Sequence, residues 1–149
     1  MTAHLIEYFK TAVFRNNMNI SIIGTGYVGL VVAGVLARCG HKIACFDSDR
    51  SKIAKLCNGV QPFWEPGLAQ LLEEHEDAIS YLDNFEECVR HSQVIFCCIG
   101  TYGNDRTIQE EIITLAKKIA SFSNSTKVLA IKSTVPVGTC KNLQQQLSN

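Results

Sequence analysis

Short apolar runs rich in β-branched residues alternate with helix-like segments along almost the whole chain, and this alternation restricts the fold more than any other feature. Residues 18–23, 42–46, 79–82, 93–99 and 127–131 read as strands, with 79–82 the weakest. Between them, 28–39, 50–57, 85–91, 107–121 and 139–147 read as helices. Another helix is opened by Glu65-Pro66-Gly67, with Pro66 in its first turn, and runs to about Glu74. Ser48 or Asp49, and Asp83 or Asn84, are placed to cap helices, while Gly40 and Asn58-Gly59 are placed to end them. Strands that are apolar throughout need cover on both faces, which points to a parallel sheet between two helical layers. Right-handed crossovers then give a doubly wound α/β fold of about five strands in the order 3-2-1-4-5. The 149 residues suffice for one such domain and not for two.

Ahead of this pattern, Leu5, Tyr8, Phe9, Ala12 and Val13 recur at helical spacing within residues 4–14, and Asn16-Asn17 breaks the run. The chain therefore divides into an N-terminal helical extension, 1–17, and the main domain, 18–149. Charged side chains balance at 14 basic and 14 acidic, which removes the electrostatic footprint of nucleic-acid binding or of a polybasic membrane patch. The N-terminus carries His4, Glu7, Lys10 and Arg15 and lacks the continuous apolar core of a signal peptide. No apolar run approaches the length of a membrane span. The seven cysteines form no Cys-x-x-Cys pair and mostly sit inside apolar runs, so they read as buried free thiols in a reducing, cytoplasmic compartment. His4, His41, His75 and His91 are scattered, without metal-ligand or triad spacing.

Chemistry concentrates at the first turn. Gly24-Thr25-Gly26-Tyr27-Val28-Gly29 is a G-x-G-x-x-G string that follows a strand and opens a helix. Gly24 permits the tight turn, Gly26 lets the backbone approach a pyrophosphate, and Gly29 lets the helix pack on the sheet. Asp47 ends the next strand, where a carboxylate accepts hydrogen bonds from the adenosine ribose and repels a 2′-phosphate. That combination reads as a Rossmann-type site for NAD rather than NADP. Lys52 stands near enough to reach the adenine side or a phosphate. A bare turn beside a solvated acid, or the Gly-rich turn of a methyltransferase, shares part of this pattern, but the six-residue spacing is the dinucleotide form.

The string Ile22-Ile23-Gly24-Thr25-Gly26-Tyr27-Val28-Gly29-Leu30 resembles the opening of the UDP-glucose/GDP-mannose dehydrogenase family. Phe63-Trp64-Glu65-Pro66-Gly67-Leu68, Ile99-Gly100-Thr101 and Lys132-Ser133-Thr134-Val135-Pro136-Val137-Gly138-Thr139 resemble three further segments of that family in the same order. The likeness runs from about Asn19 to the end of the chain, and the UDP-glucose branch is the nearest. The family oxidises a sugar C6 alcohol to a carboxylate and reduces two NAD per turnover. The resemblance implies that Tyr27 and Val28 supply backbone N–H groups to the pyrophosphate held by Gly24, Gly26 and Gly29. It implies that Asp47 and Lys52 contact the adenosine and that Thr101 lies along the cofactor. Ser133, Thr134 and Val135 would lie near the nicotinamide end, Thr134 positioning catalytic groups or water.

Two departures modify that expectation. The family continues with Gly-Thr-Pro and a loop containing Asp-Gly, whereas Tyr102-Gly103-Asn104-Asp105-Arg106 stands here. The family's thiol nucleophile lies in a later Gly-Phe-Gly-Gly-x-Cys-like segment that the 149 residues do not contain, and none of the seven cysteines has that setting. The expectation is a truncated dehydrogenase domain that binds NAD without catalysing and meets a UDP-sugar only if the missing half is supplied. Thr134 is then the sole candidate for a catalytic role, and no metal is expected. A rival expectation is an interaction module, with a strand at residues 128–131 left at an open edge and a homodimer as one outcome. Half of a split dehydrogenase is another.

Overall fold

The computed structural model describes residues 17–101 and 104–147. The helix expected at 4–14, and all of the extension except Asn17, lie outside the described residues, as do Tyr102 and Gly103. Five strands form one sheet: β1 (Asn19–Ile23), β2 (Lys42–Phe46), β3 (Ile79–Leu82), β4 (Val94–Cys97) and β5 (Val128–Ile131). The order is β3-β2-β1-β4-β5 and every pair is parallel, as the sequence pattern anticipates. Six α-helices alternate with them: α1 (Tyr27–Arg38), α2 (Arg50–Cys57), α3 (Leu68–Glu73), α4 (Phe85–His91), α5 (Asp105–Phe122) and α6 (Thr139–Leu147).

Local chemistry sets the element boundaries. The Asp49 carboxylate accepts from Ser51 N and Lys52 N at the start of α2, and Asn84 and Asn104 cap α4 and α5 in the same way. Gly40 and Gly59 take left-handed backbones just past α1 and α2. Several boundaries shift by a residue or two, α5 running 105–122 rather than 107–121, and two differences have a clear local cause. Gly67 stands at φ +78°, a left-handed conformation that a right-handed helix cannot include, so α3 begins at Leu68 and Pro66 belongs to the preceding turn. β4 ends at Cys97 rather than residue 99, because its partners Ile23 and Ile131 are the last residues of their own strands.

The register makes the strands end flush: Ile23 pairs with Phe46 and Cys97, Phe46 with Leu82, and Cys97 with Ile131. Successive side chains of a strand point to opposite faces. Ile20 and Ile22 of β1 therefore join Leu30, Ala33, Leu56 and Leu72 in one layer, while Ile23 joins Phe85, Val89 and Ile119 in the other. A third cluster, around Cys97, Ile112 and Leu143, seats α6 against α5. Cys45, Cys88, Cys97 and Cys98 are buried free thiols as expected, whereas Cys57 and Cys140 are exposed and Cys39 is half-buried. Among the described residues no helix is long and apolar enough to cross a membrane.

Close approach of α1 to the sheet depends on Gly29, which is buried in the first turn of that helix. A Cβ there would overlap the carbonyl oxygen of Gly24. The oxygen belongs to backbone and a Cβ is fixed by the backbone that carries it, so no side-chain rotation relieves the clash. Gly29→Ala is expected to lower the unfolding free energy by about 2–3 kcal/mol, read as a fall in the urea midpoint at unchanged slope.

Candidate functional site

Because the sheet is parallel and flush, the turns after β1, β2, β4 and β5 all emerge at one rim. The chain goes from β1 outward to β2 and β3 on one side, then returns to place β4 and β5 on the other, so a crevice opens between β1 and β4. Gly24 forms its wall. It holds φ +100°, and a Cβ there would sit 2.6 Å from the Cys98 carbonyl oxygen. Its N–H donates to Phe46 O at 2.8 Å, which ties the turn to β2.

Gly26 occupies the cap position of α1 in extended backbone, offers no capping side chain, and is followed by a first turn without an acidic residue. The N–H groups of Tyr27, Val28 and Gly29 have no acceptor within the helix at this position. They sit at the positive end of the helix dipole. A Cβ on Gly26 would meet nothing within 4 Å, so space stands open in front of these donors. Tyr27 and Val28 are largely exposed beside that space.

Asp47 closes the other side of the turn and is 8% exposed. Its Oδ2 accepts from Thr25 N at 2.8 Å and from the Thr25 hydroxyl at 3.0 Å, and its Oδ1 accepts from Asp49 N at 2.9 Å. Lys52 Nζ lies 3.6 Å from Oδ2. Burial pushes the Asp47 carboxyl up, but the hydrogen bonds from Asp49 and Thr25, with the Lys52 charge, outweigh it and hold the group below its ordinary value. Asp47 also lines an open cleft of about 570 Å³ with Ser48, Arg50, Asp83 and Lys118. A second cleft, of about 480 Å³, lies between α2, α3 and β3 and is lined by none of the residues marked from the sequence.

Sequence reasoning missed Thr25, whose side chain is fully buried. The signal available was a hydroxyl between the first two glycines with a strand-end acid to bond. It also missed the brace on Tyr27, whose ring meets Phe63 at 5.7 Å between centroids. The Tyr27 phenol is raised above its ordinary pKa by a hydrogen bond to Glu65 and by that carboxylate's charge. Phe63 and Glu65 thus lie beside Tyr27 at the glycine turn.

Gly24, Gly26, Tyr27, Val28, Gly29, Asp47 and Lys52 thus form one connected group at β1 and β2. Thr101, Ser133 and Thr134 sit on the far side of the crevice, after β4 and β5. Thr101 is half-buried and Thr134 exposed. The Ser133 hydroxyl donates to Ile99 O at 2.7 Å and so locks the end of β5 to the end of β4. Burial raises the Cys88 and Cys98 thiols to about 11 and also raises Cys97, so these three stay protonated near neutral pH. Among the described residues no group of His, Cys, Asp and Glu could hold a metal ion.

A glycine turn feeding an uncapped helix, with a buried acid at the end of the neighbouring strand, defines a dinucleotide-binding domain of the doubly wound class. Residues 18–149 match the family model described as "UDP-glucose/GDP-mannose dehydrogenase family, NAD binding domain". The chain belongs to that family, as its NAD-binding domain. It is 41% identical over 130 residues to UDP-glucose 6-dehydrogenase TuaD of Bacillus subtilis, which covers 84% of this chain and 28% of that protein. Its fold superposes on a GDP-mannose dehydrogenase from Pseudomonas aeruginosa with a TM-score of 0.76 at 33% identity, covering 85% of this chain and 30% of the other. A UDP-glucose dehydrogenase from Pyrobaculum islandicum gives 0.73 at 25% identity, covering 87% and 33%. The chain spans about a third or less of the length of these relatives.

The depressed Asp47 carboxyl fixes the sign of a pH effect. A folded-state pKa below the unfolded value of about 3.9 contributes stability that is present above that pH and lost as pH falls through the folded value. Asp47→Asn is expected to flatten the acid limb of stability against pH, measured by urea unfolding at a series of pH values from neutral downwards. An unchanged acid limb would show that Asp47 is not held as the ionised partner of Thr25 and Asp49.

Proposed function

We propose that this chain binds NAD across the carboxyl ends of β1, β2 and β4, as the cofactor-binding part of a nucleotide-sugar 6-dehydrogenase of the UDP-glucose type. Residues 18–149 act as one NAD-binding unit, with 1–17 as an N-terminal extension. The observation that carries the reading is the open space in front of Gly26 at the start of α1, in a turn whose Thr25 is bonded to buried Asp47. The residues present fit the cofactor. Gly24, Gly26 and Gly29 shape the turn, and the backbone N–H groups of Tyr27 and Val28 donate to the pyrophosphate. Asp47 accepts from the adenosine ribose, with Lys52 beside it. Thr101, Ser133 and Thr134 line the nicotinamide half, where Ser133 fixes the loop and Thr134 presents its hydroxyl outward. NAD, when bound, supplies the hydride acceptor for alcohol oxidation. The 149 residues take up NAD without oxidising sugar, and a UDP-sugar is engaged only together with the remaining length that the relatives possess. Seven free thiols fit a cytoplasmic setting.

Calorimetric titration tests this. NAD is expected to saturate the purified chain, and NADP to bind about tenfold more weakly or worse, because its 2′-phosphate meets the Asp47 charge. Gly26→Ala fills the open space without touching protein atoms. It should weaken NAD binding about tenfold or more while stability stays within about 0.5 kcal/mol. Failure of NAD to bind a folded chain would overturn the reading, and NADH production from UDP-glucose by the chain alone would overturn its non-catalytic part.

A second reading, an interaction module, is favoured by one observation. Among the described residues β5 pairs only with β4, and Val128 on it is 58% exposed. An unpaired apolar edge is a template for another strand. Sedimentation is expected to show self-association that Val128→Lys weakens, and a monomeric wild-type chain at high concentration would end this reading.

A further inference from the structure

Two features of the chain take no part in the proposed cofactor site: the cleft of about 480 Å³ between α2, α3 and β3, and the N-terminal segment 1–16. The cleft falls within the roughly 300–1,000 Å³ of clefts that hold a ligand. Leu72, Ile79 and the half-buried Tyr81 line it with apolar surface, and the exposed Glu73 and Glu76 line its mouth. Among the described residues neither carboxylate has a basic partner, and no Lys, Arg or His lines the cleft. Apolar surface beside unpaired negative charge fits an apolar segment that carries positive charge.

The path of the chain leads there. Met18 N donates to His41 Nδ1 at 3.3 Å, and Met18 O accepts from Lys42 N at 3.0 Å. Asn17 lies against Gly40, where a Cβ would sit 3.3 Å from the Asn17 Oδ1. Residues 17–18 therefore run beside the start of β2, on the β3 side of β1. From that point Lys42 Nζ donates to Asp77 O at 3.2 Å, next to Glu76. Ile79 stands two strand spacings, about 10 Å, from β1. Residues 1–16 span about 24 Å even when wholly helical, so they reach the cleft. In this segment Leu5, Tyr8, Phe9, Ala12 and Val13 recur at helical spacing, and Lys10 and Arg15 stand against one acid, Glu7. The other edge of the sheet suits it less, because Lys127 and Lys132 flank β5.

We infer that residues 1–16 of this chain cover the cleft between α2, α3 and β3, their apolar side chains on Leu72, Ile79 and Tyr81 and their basic side chains beside Glu73 and Glu76. Segment and cleft belong to one chain, so the contact forms at high effective concentration and needs no second molecule. Glu76 and Ile79 lie at the N-terminal end of β3, away from the rim that carries the glycine turn, so the contact is independent of NAD. Cys57 reports on it. This thiol is exposed in the cleft, with Sγ 3.8 Å from Tyr81 O, while Cys140 is exposed on α6 and serves as a control.

The test is alkylation of the full chain by N-ethylmaleimide, followed cysteine by cysteine by peptide mass spectrometry. Phe9→Asp is expected to speed the alkylation of Cys57 about tenfold and to leave Cys140 within about twofold of wild type. Lys10→Glu together with Arg15→Glu should also speed Cys57, and adding Glu73→Lys with Glu76→Lys should bring back the slow rate. Lysines beside a thiol favour the reactive thiolate, so a slower Cys57 in that fourfold variant can come only from renewed cover. A Cys57 rate that Phe9→Asp leaves unchanged overturns the inference, as does a charge swap that does not slow it. Protection that grows with protein concentration in the wild-type chain also overturns it, because the segment would then come from a second copy. If Phe9→Asp does not fold, the charge swap alone decides.

Discussion

The first turn of α1 rests against the carbonyl of Gly24, and the rest of the site depends on that contact. It is possible only because Gly29 has no side chain. With the helix drawn in this far, its N-terminal N–H groups arrive at the carboxyl ends of the strands rather than a side chain's width above them. The same approach forces the turn after β1 to be short, and Gly24 accepts the left-handed backbone that shortness demands. The small faces of Ala33, Gly34 and Ala37 continue the fit along the helix, Gly34 making room for Leu71 of α3. The helix is therefore held by close packing along its length, which suits a donor array that must stay fixed in front of an anion.

Much of this was legible in the sequence because each glycine answers a separate steric demand, and a demand of that kind leaves a spacing. The alternation of apolar runs gave the sheet order, since strands buried on both faces have only a few ways to be wound. Asp47 could be read because it ends a strand whose length is set by apolar residues. Other features left no pattern. Thr25 looks like an ordinary polar turn residue, and its burial arises only when β2 brings Asp47 against it. Cys98 and Ile99 continue the apolar run of β4 although pairing has stopped, because Cys98 is still buried in the core layer. Pro66 looked like the start of α3, but the left-handed backbone of Gly67 was decisive and is invisible in a list of residue types. The caps at Asp49 and Asn84 were among the residues the sequence offered, whereas the end of β4, set by neighbours in space, and the start of α3, set by a backbone conformation, were not.

The two sides of the crevice satisfy their polar groups in different ways. After β1 and β2, the backbone donors of α1 are left open, while the one buried acid is already bonded and ionised. After β5, the hydroxyls turn inward: Ser133 donates to Ile99 O and Thr139 to Pro136 O, and Gly138 takes a left-handed backbone between them. That loop is braced at both ends and leaves Thr134 and Val137 facing outward. One side of the rim is thus built to receive hydrogen-bonding groups, and the other to offer a fixed shape. Under the proposed function this division suits a dinucleotide, whose phosphates and ribose carry the charge and hydroxyls that an electrostatic cradle can hold. The nicotinamide half then meets a surface that is stiff before anything binds, so little ordering of the loop opposes its placement. Affinity would then come from the β1–β2 side and orientation from the β4–β5 side.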